Sequence, residues 1–405
     1  MSVYLDHAAT TPLRREALEA MLPYLTEQFG NPSSPHGWGR RARAGLDEAH
    51  ERVAGALGAN PREIVLTSGG TEALNLAIKG AAWAGKASGH RIITTAVEHH
   101  AVLHPLRQLE KFGFETVELA VDRYGRLDPD TLSAALTDRT ILVALGHANN
   151  EVGTIQAIVE LVARVRRDGP RGCLVAIDAV ASAPYLTLDV SELDCDLLAI
   201  AAHKFDGPKG AGALYLRAGI HLLSQQQGGS QERFRRAGTE DVAAAVGMGV
   251  AFELAVAEIP VVAPRLQADR DRLLSCLTSL DDVETTGHPI DRLPGLVSVV
   301  ARGVEGATVV LKLDLEGVAA SVGSACTTGS AEPSHVLRAM GYPDEEARGS
   351  LRVSLGRGTG RDDVAAAVDI IPRVLTAARE GARRVAAESE AARARKQPVD
   401  VGPPG

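Results

Sequence analysis

Short apolar runs, each closed by a polar or glycine position, alternate with longer stretches of helical periodicity as far as about residue 250. "REIVLTSGG" leads into "TEALNLAIKGAAWAG", and "HRIITTAVEHH" leads into "AVLHPLRQLEKFG". "TILVALGHANNEVG", "IVELVARVRRDG", "CLVAIDAVASAP", "CDLLAIAAHK" and "GAGALYL" follow. The alternation predicts an α/β domain with a mostly parallel sheet between helical layers. Such sheets bind ligands beyond the carboxyl ends of their strands, so the polar residues closing each run are the ones to inspect.

Beyond about residue 255 the texture changes. A helical stretch "VVAPRLQADRDRLLSCLTSL" precedes "LVSVVA", "VVLKLDLEGVAASVGSAC" and "SLRVSLGRGT", which predict a smaller α+β domain. The tail from about Glu388 ends in "KQPVDVGPPG" and is expected to be frayed.

Four strand ends carry candidate chemistry. In "IVLTSGGTEALNLA" a strand and a glycine turn place Gly70 and Thr71 at a helix start, where unpaired N–H groups and a hydroxyl suit a phosphate. No GK[ST] follows, which excludes a P-loop, and no G-x-G-x-x-G opens the helix. A plain helix cap is the competing reading. His99 follows the strand in "TTAVEHHAVL". His100 and His104 share helical spacing, but without a third ligand at a defined spacing no metal is expected. Asp178 ends "CLVAID", where a carboxylate is costly unless it caps a helix or meets a cation.

Lys204 ends "LLAIAAHK" beside His203. Of the seven lysines it alone directly closes a strand of this domain. A desolvated amine has a lowered pKa and attacks carbonyls. A phosphate corner, a strand-end acid and a strand-end lysine together describe a pyridoxal 5'-phosphate site. A fifth element lies in the second domain. Cys326 stands in "SVGSACTTGSAEPS", among small residues that would not bury it, as suits a nucleophilic thiol.

The composition narrows the remaining classes. Hydrophobic residues make up 45% and the net charge is −8, which disfavours direct nucleic-acid or anionic-membrane binding. No signal peptide and no apolar run of membrane-spanning length is read, so a cytoplasmic protein is expected. Four cysteines without a CxxC pair read as reduced thiols rather than a disulfide or zinc framework.

"YLDHAATTP", "FGNPSSPHGWG", "EHHAVL", "HANNEVGTIQ", "HKFDGPKGAGALY", "RAGTEDV", "GSACTTGSAEPSHVLRAMG" and "LRVSLGRGT" together resemble the cysteine desulfurases of NifS/IscS type in the class V aminotransferase family. The resemblance runs from Tyr4 to about Arg361. It implies transferase fold type I, with a seven-stranded sheet in a large domain (16–255). A small domain would be built from 1–15 and 256–388, with 389–405 as a disordered tail. The active form would be a homodimer.

The resemblance also assigns roles. Lys204 would carry pyridoxal phosphate, Asp178 would hold the pyridinium proton, and His99 would stack on the ring and assist proton transfer. Gly70, Thr71 and His203 would bind the phosphate with Thr239 of the partner subunit. Asn150 and Arg352 would hold the carboxylate of L-cysteine. The Cys326 thiolate would take the substrate's sulfur, leaving alanine, and pass it to a protein acceptor. Two positions depart from the family pattern: Ala181 stands where a glutamine is usual, and Ala201 where a serine is usual. Selenocysteine lyase, another class V aminotransferase activity, or a catalytically weak binding partner in a sulfur pathway are the competing readings.

Overall fold

The computed structural model describes residues 2–323 and 332–396, so Cys326 lies outside the described residues. The first strand, β1 (Val3–Tyr4), precedes a central sheet of seven: β2 (Ile64–Thr67), β3 (Arg91–Thr95), β4 (Glu115–Leu119), β5 (Thr140–Gly146), β6 (Leu174–Asp178), β7 (Leu197–Ala201) and β8 (Gly212–Leu216). Their order is β2-β8-β7-β6-β5-β3-β4. β8 runs antiparallel to both its neighbours, and the other pairs are parallel. β2 therefore points the same way as β7, and six strands end at one edge.

The uniformly apolar runs have a simple cause. In every strand of this sheet but the edge strand β4, alternate residues enter two different buried clusters: Leu142 and Ala144 one, Val143 and Leu145 the other. The first cluster is closed by α3 (Gly70–Gly85) and α4 (His100–Glu110), numbered after α1 (Arg15–Thr26) and α2 (Gly37–Leu57). The opposite cluster takes α2, the Ile158–Asp168 helix and the start of the Val242–Thr278 helix. Both faces of the sheet are covered, as parallel sheets require.

Beyond the central sheet, β9 (Val283–Thr285), β10 (Leu296–Ala301) and β12 (Ser350–Ser354) form an antiparallel sheet ordered β12-β10-β9. β11 (Val318–Ala319) pairs in parallel with β1. The amino-terminal strand thus packs with residues more than 300 positions away, in a third cluster that includes Val3, Leu5, Val299 and Val353.

The Val242–Thr278 helix is continuous through Pro260 and Pro264, and the change of texture at residue 255 falls inside it. Contrary to the expectation of no apolar run of membrane-spanning length, an 18-residue window of this helix reaches the length and apolarity of a membrane span. Half of that window is buried in the protein, and Met248, Ala251 and Phe252 join the cluster beneath the sheet. Core packing against α1 and α2 accounts for its apolar character.

Candidate active site

The polar strand ends converge on one cavity of 410 Å³, within the range of small-molecule sites. Its wall includes Gly70, Thr71, His99, Asn150, Asp178, His203, Lys204 and Arg352. Ala181 and Ala201 line it as well. Thr239 is not among the lining residues of this single chain.

The phosphate corner is built by close packing. Gly69 has φ +146°, a conformation side chains rarely adopt, and a Cβ on Gly70 would meet Val180 Cγ2 at 2.6 Å. The turn therefore presses against the residues after β6, and α3 starts at the sheet edge. Helix geometry leaves the first N–H groups of α3 without intrahelical acceptors. Glu72 turns back to accept from Ser68 N at 2.8 Å and is itself held by Arg236 at 2.8 Å. This keeps its carboxylate engaged and leaves the Gly70–Thr71 end suited to an anion.

Asp178 closes β6 and accepts from Val180 N at 3.0 Å. Burial pushes its carboxyl up to about 6, partly offset by that bond and by the charge of Lys204. A buried acid at this strand end is chemically matched to a cationic N–H. Lys204 follows β7 in a short turn. Its Nζ donates to the carbonyl oxygens of Ala8 and Ala9, the latter at 2.9 Å. The same amino-terminal segment is fastened to the turn by Thr11, whose N and Oγ1 both donate to the His203 carbonyl at 2.9 Å.

His99 caps α4, with Nδ1 accepting from Ala101 N at 3.0 Å. A neutral ring in that arrangement carries its proton on Nε2. Burial first, then the charge of Lys204, lowers its pKa to about 4. His203 is lowered to about 4 by burial and by Lys204 and Lys209, and its Nδ1 lies 3.2 Å from Thr10 Oγ1. The His100 ring stacks on that of His104 at 4.7 Å and lies tilted against that of His335, also at 4.7 Å.

Arg352 is almost completely buried on β12. Nη1 donates to Asn150 O at 3.0 Å and Gly323 O at 3.3 Å, and Nη2 to Asp6 Oδ1 at 3.0 Å. Its buried Nε has no partner among the described residues. Asn150 also follows from the sequence, because Asn149 holds the turn: its Oδ1 accepts from Glu151 N and Val152 N. Sequence reasoning missed Asp6, Ala8 and Ala9, which reach the site through the pairing of β1 with β11 and through bonds of the same segment to Ser354 and His203.

The donor set fits pyridoxal phosphate. Anion donors stand at one corner, a buried acid at the next strand end, an amine between them, and a buried guanidinium with an unpaired donor across the cavity. Architecture and site together define a fold type I transferase. A family model for class-V aminotransferases matches residues 3–366, and the chain belongs to that family. Cysteine desulfurase IscS of Dictyoglomus turgidum is 49% identical over 374 residues, covering 92% of this chain and 94% of that protein. Cysteine desulfurase IscS of Methanosarcina thermophila is 46% identical, covering 92% of each. Among solved structures, a NifS-like protein superposes with a TM-score of 0.88 at 34% identity, covering 93% of this chain and 100% of that one. SspA in complex with cysteine superposes at 0.77 with 32% identity, covering 87% and 99%.

Proposed function

We propose that this protein is a cysteine desulfurase that converts L-cysteine to L-alanine with pyridoxal phosphate and moves the sulfur to Cys326. The observation that carries the reading is the convergence of Lys204, Asp178, His99, Thr71 and Arg352 on one cavity. When bound, pyridoxal phosphate supplies a carbonyl that condenses with amines and an electron sink that weakens bonds at the substrate's Cα.

The chain's own groups do the rest. The first N–H groups of α3, Thr71 and His203 bind the phosphate, and Thr239 of the partner subunit joins them in a homodimer. The Asp178 carboxylate holds the ring-nitrogen proton. His99 covers the ring face. The Lys204 amine would hold the cofactor's carbonyl carbon and, when not bound to it, would move the proton at the substrate's Cα. Arg352 orients the substrate carboxylate through donors not already given to Asn150, Gly323 and Asp6.

The Cys326 thiolate attacks the substrate's sulfur. The Cβ–S bond breaks with its electron pair left on carbon, protonation there gives alanine, and the persulfide passes to a protein acceptor in iron–sulfur assembly or thiolation. A cytoplasmic setting, where thiols stay reduced, agrees with this use of cysteine.

Borohydride reduction of the yellow protein followed by peptide mass analysis tests the cofactor step. A pyridoxyl adduct on Lys204 is expected. An adduct elsewhere, or a colourless protein after reconstitution, would overturn the assignment.

A further inference from the structure

Glu98 is a cavity residue to which the reading above gives no task. It lies between β3 and α4, directly before His99, and is 4% exposed. Its Oε1 accepts from Thr95 Oγ1 at 2.6 Å. Its Oε2 lies 2.8 Å from the place a Cβ on Gly146 would take.

Gly146 is paired in parallel register with Asp178. Residues so paired send their side chains to the same face of the sheet, about 4.8 Å apart. The Glu98 carboxyl therefore stands where position 146 lacks a side chain, on the sheet face that Asp178 also uses. A Cβ at position 146 would force the Glu98 carboxyl to shift.

Two buried carboxyls that face one cavity from the same side of the sheet are costly to ionise together. Their surroundings decide which one keeps the charge. Asp178 feels the Lys204 cation and receives the Val180 N–H. Glu98 receives the Thr95 hydroxyl and the Gly146 N–H, and the charge that bears on it is that of Asp178, of like sign. Burial and then Asp178 push Glu98 up to about 8. Among the described residues no cation bears on it. His99 and His147 are both lowered to about 4 by burial, and His335 Nε2 contacts only the Glu98 backbone carbonyl, at 2.9 Å.

We propose that Glu98 is a positioning residue of the cofactor site: a neutral carboxylic acid held beside Asp178, which leaves Asp178 the one anion offered to the ring nitrogen. This rests on the pyridoxal phosphate reading above. In alkaline solution Glu98 loses its proton, a second anion stands beside the first, and the hold on the ring proton changes.

The test titrates pyridoxal phosphate binding to the full-length wild type, Glu98→Gln and Glu98→Ala from neutral to alkaline pH, with infrared spectra of the same proteins. The wild type should show the carbonyl stretch of a protonated carboxylic acid that Glu98→Gln lacks. Its dissociation constant should bend near pH 8, as Glu98 titrates, and the Gln variant should lack that bend. At neutral pH the Gln variant should bind about tenfold more tightly than the Ala variant, which loses the hydrogen bonds as well as the proton. Gly146→Ala keeps the acid but crowds it and should move the bend. If the wild type binds the cofactor while Glu98→Gln keeps both band and bend, or binds as weakly as Glu98→Ala, the proposal fails alone. If the wild type binds no pyridoxal phosphate, the cofactor reading fails and takes the proposal with it.

Discussion

Arg352 Nη2 donates to Asp6 Oδ1 at 3.0 Å. This bond ties a buried guanidinium on β12 to the segment that leaves β1, across 346 positions of sequence. The Asp6 side chain is 21% exposed and that of Arg352 1%, so the pair is set largely within protein. An arginine kept this way enters substrate binding with its plane already fixed.

Removing the carboxylate should therefore affect substrate binding more than chemistry. Asp6→Ala is expected to raise the KM for L-cysteine by about tenfold, or about 1.4 kcal/mol, with a smaller change in kcat. Steady-state kinetics check it. A fall in kcat with KM unchanged would count against a carboxylate-orienting Arg352.

Ala181 and Ala201 both line the cavity, and Ala201 is buried against the Gly70 turn, its Cβ 3.3 Å from where a Cβ on Gly70 would stand. Each offers a methyl group where the family pattern has a hydrogen-bonding side chain. Restoring a hydrogen bond to a charged group is worth about 1.5–3 kcal/mol. Ala181→Gln and Ala201→Ser should each lower the dissociation constant for pyridoxal phosphate about tenfold or more. Equilibrium dialysis decides it, and no tightening in either variant would sink the idea.

Asp178 should cost the cofactor-free protein stability. Burial raises its pKa to about 6 from an ordinary 3.8. Between those values the folded state binds more protons than the unfolded one, so stability falls as pH rises and the loss is complete above about 6. Cofactor-free Asp178→Asn should melt higher than the wild type at neutral pH, by on the order of 2–3 kcal/mol. The gap should close near pH 4, as thermal scans across that range would show.

His147 has the opposite sign. Burial lowers its pKa to about 4 from 6.5, so unfolding takes up a proton between those values. Its contribution is full above about pH 6.5 and is lost as pH falls toward 4. His147→Asn should flatten the acid limb of the cofactor-free protein by up to about 1.4 kcal/mol per pH unit. An unchanged slope in denaturant titrations would contradict a neutral buried imidazole.

The strand-end residues were legible because six co-directional strands deliver their last side chains to one edge, and apolar runs mark where those strands stop. Asp178, His99, Lys204 and Thr71 could be picked out one at a time. Asp6, Ala8 and Ala9 could not, since their role depends on β1 crossing to β11, and no local pattern encodes that pairing. Glu98 was hidden differently. A glutamate before a histidine reads as a helix-entry acid, and only the register of Gly146 with Asp178 shows that its carboxyl fills a gap in the sheet. The Val242–Thr278 helix concealed its length because Glu253, Glu258 and two prolines interrupt the apolar run without breaking the backbone.

The most direct test of the proposed function is a single turnover of the cofactor-loaded protein with L-cysteine and no acceptor, following alanine and the mass of the Cys326 peptide together. One alanine per active site should form with one added sulfur on Cys326, and Cys326→Ala should form neither. Alanine released equally by Cys326→Ala, or no alanine from the yellow wild-type protein, would contradict a cysteine desulfurase acting through Cys326.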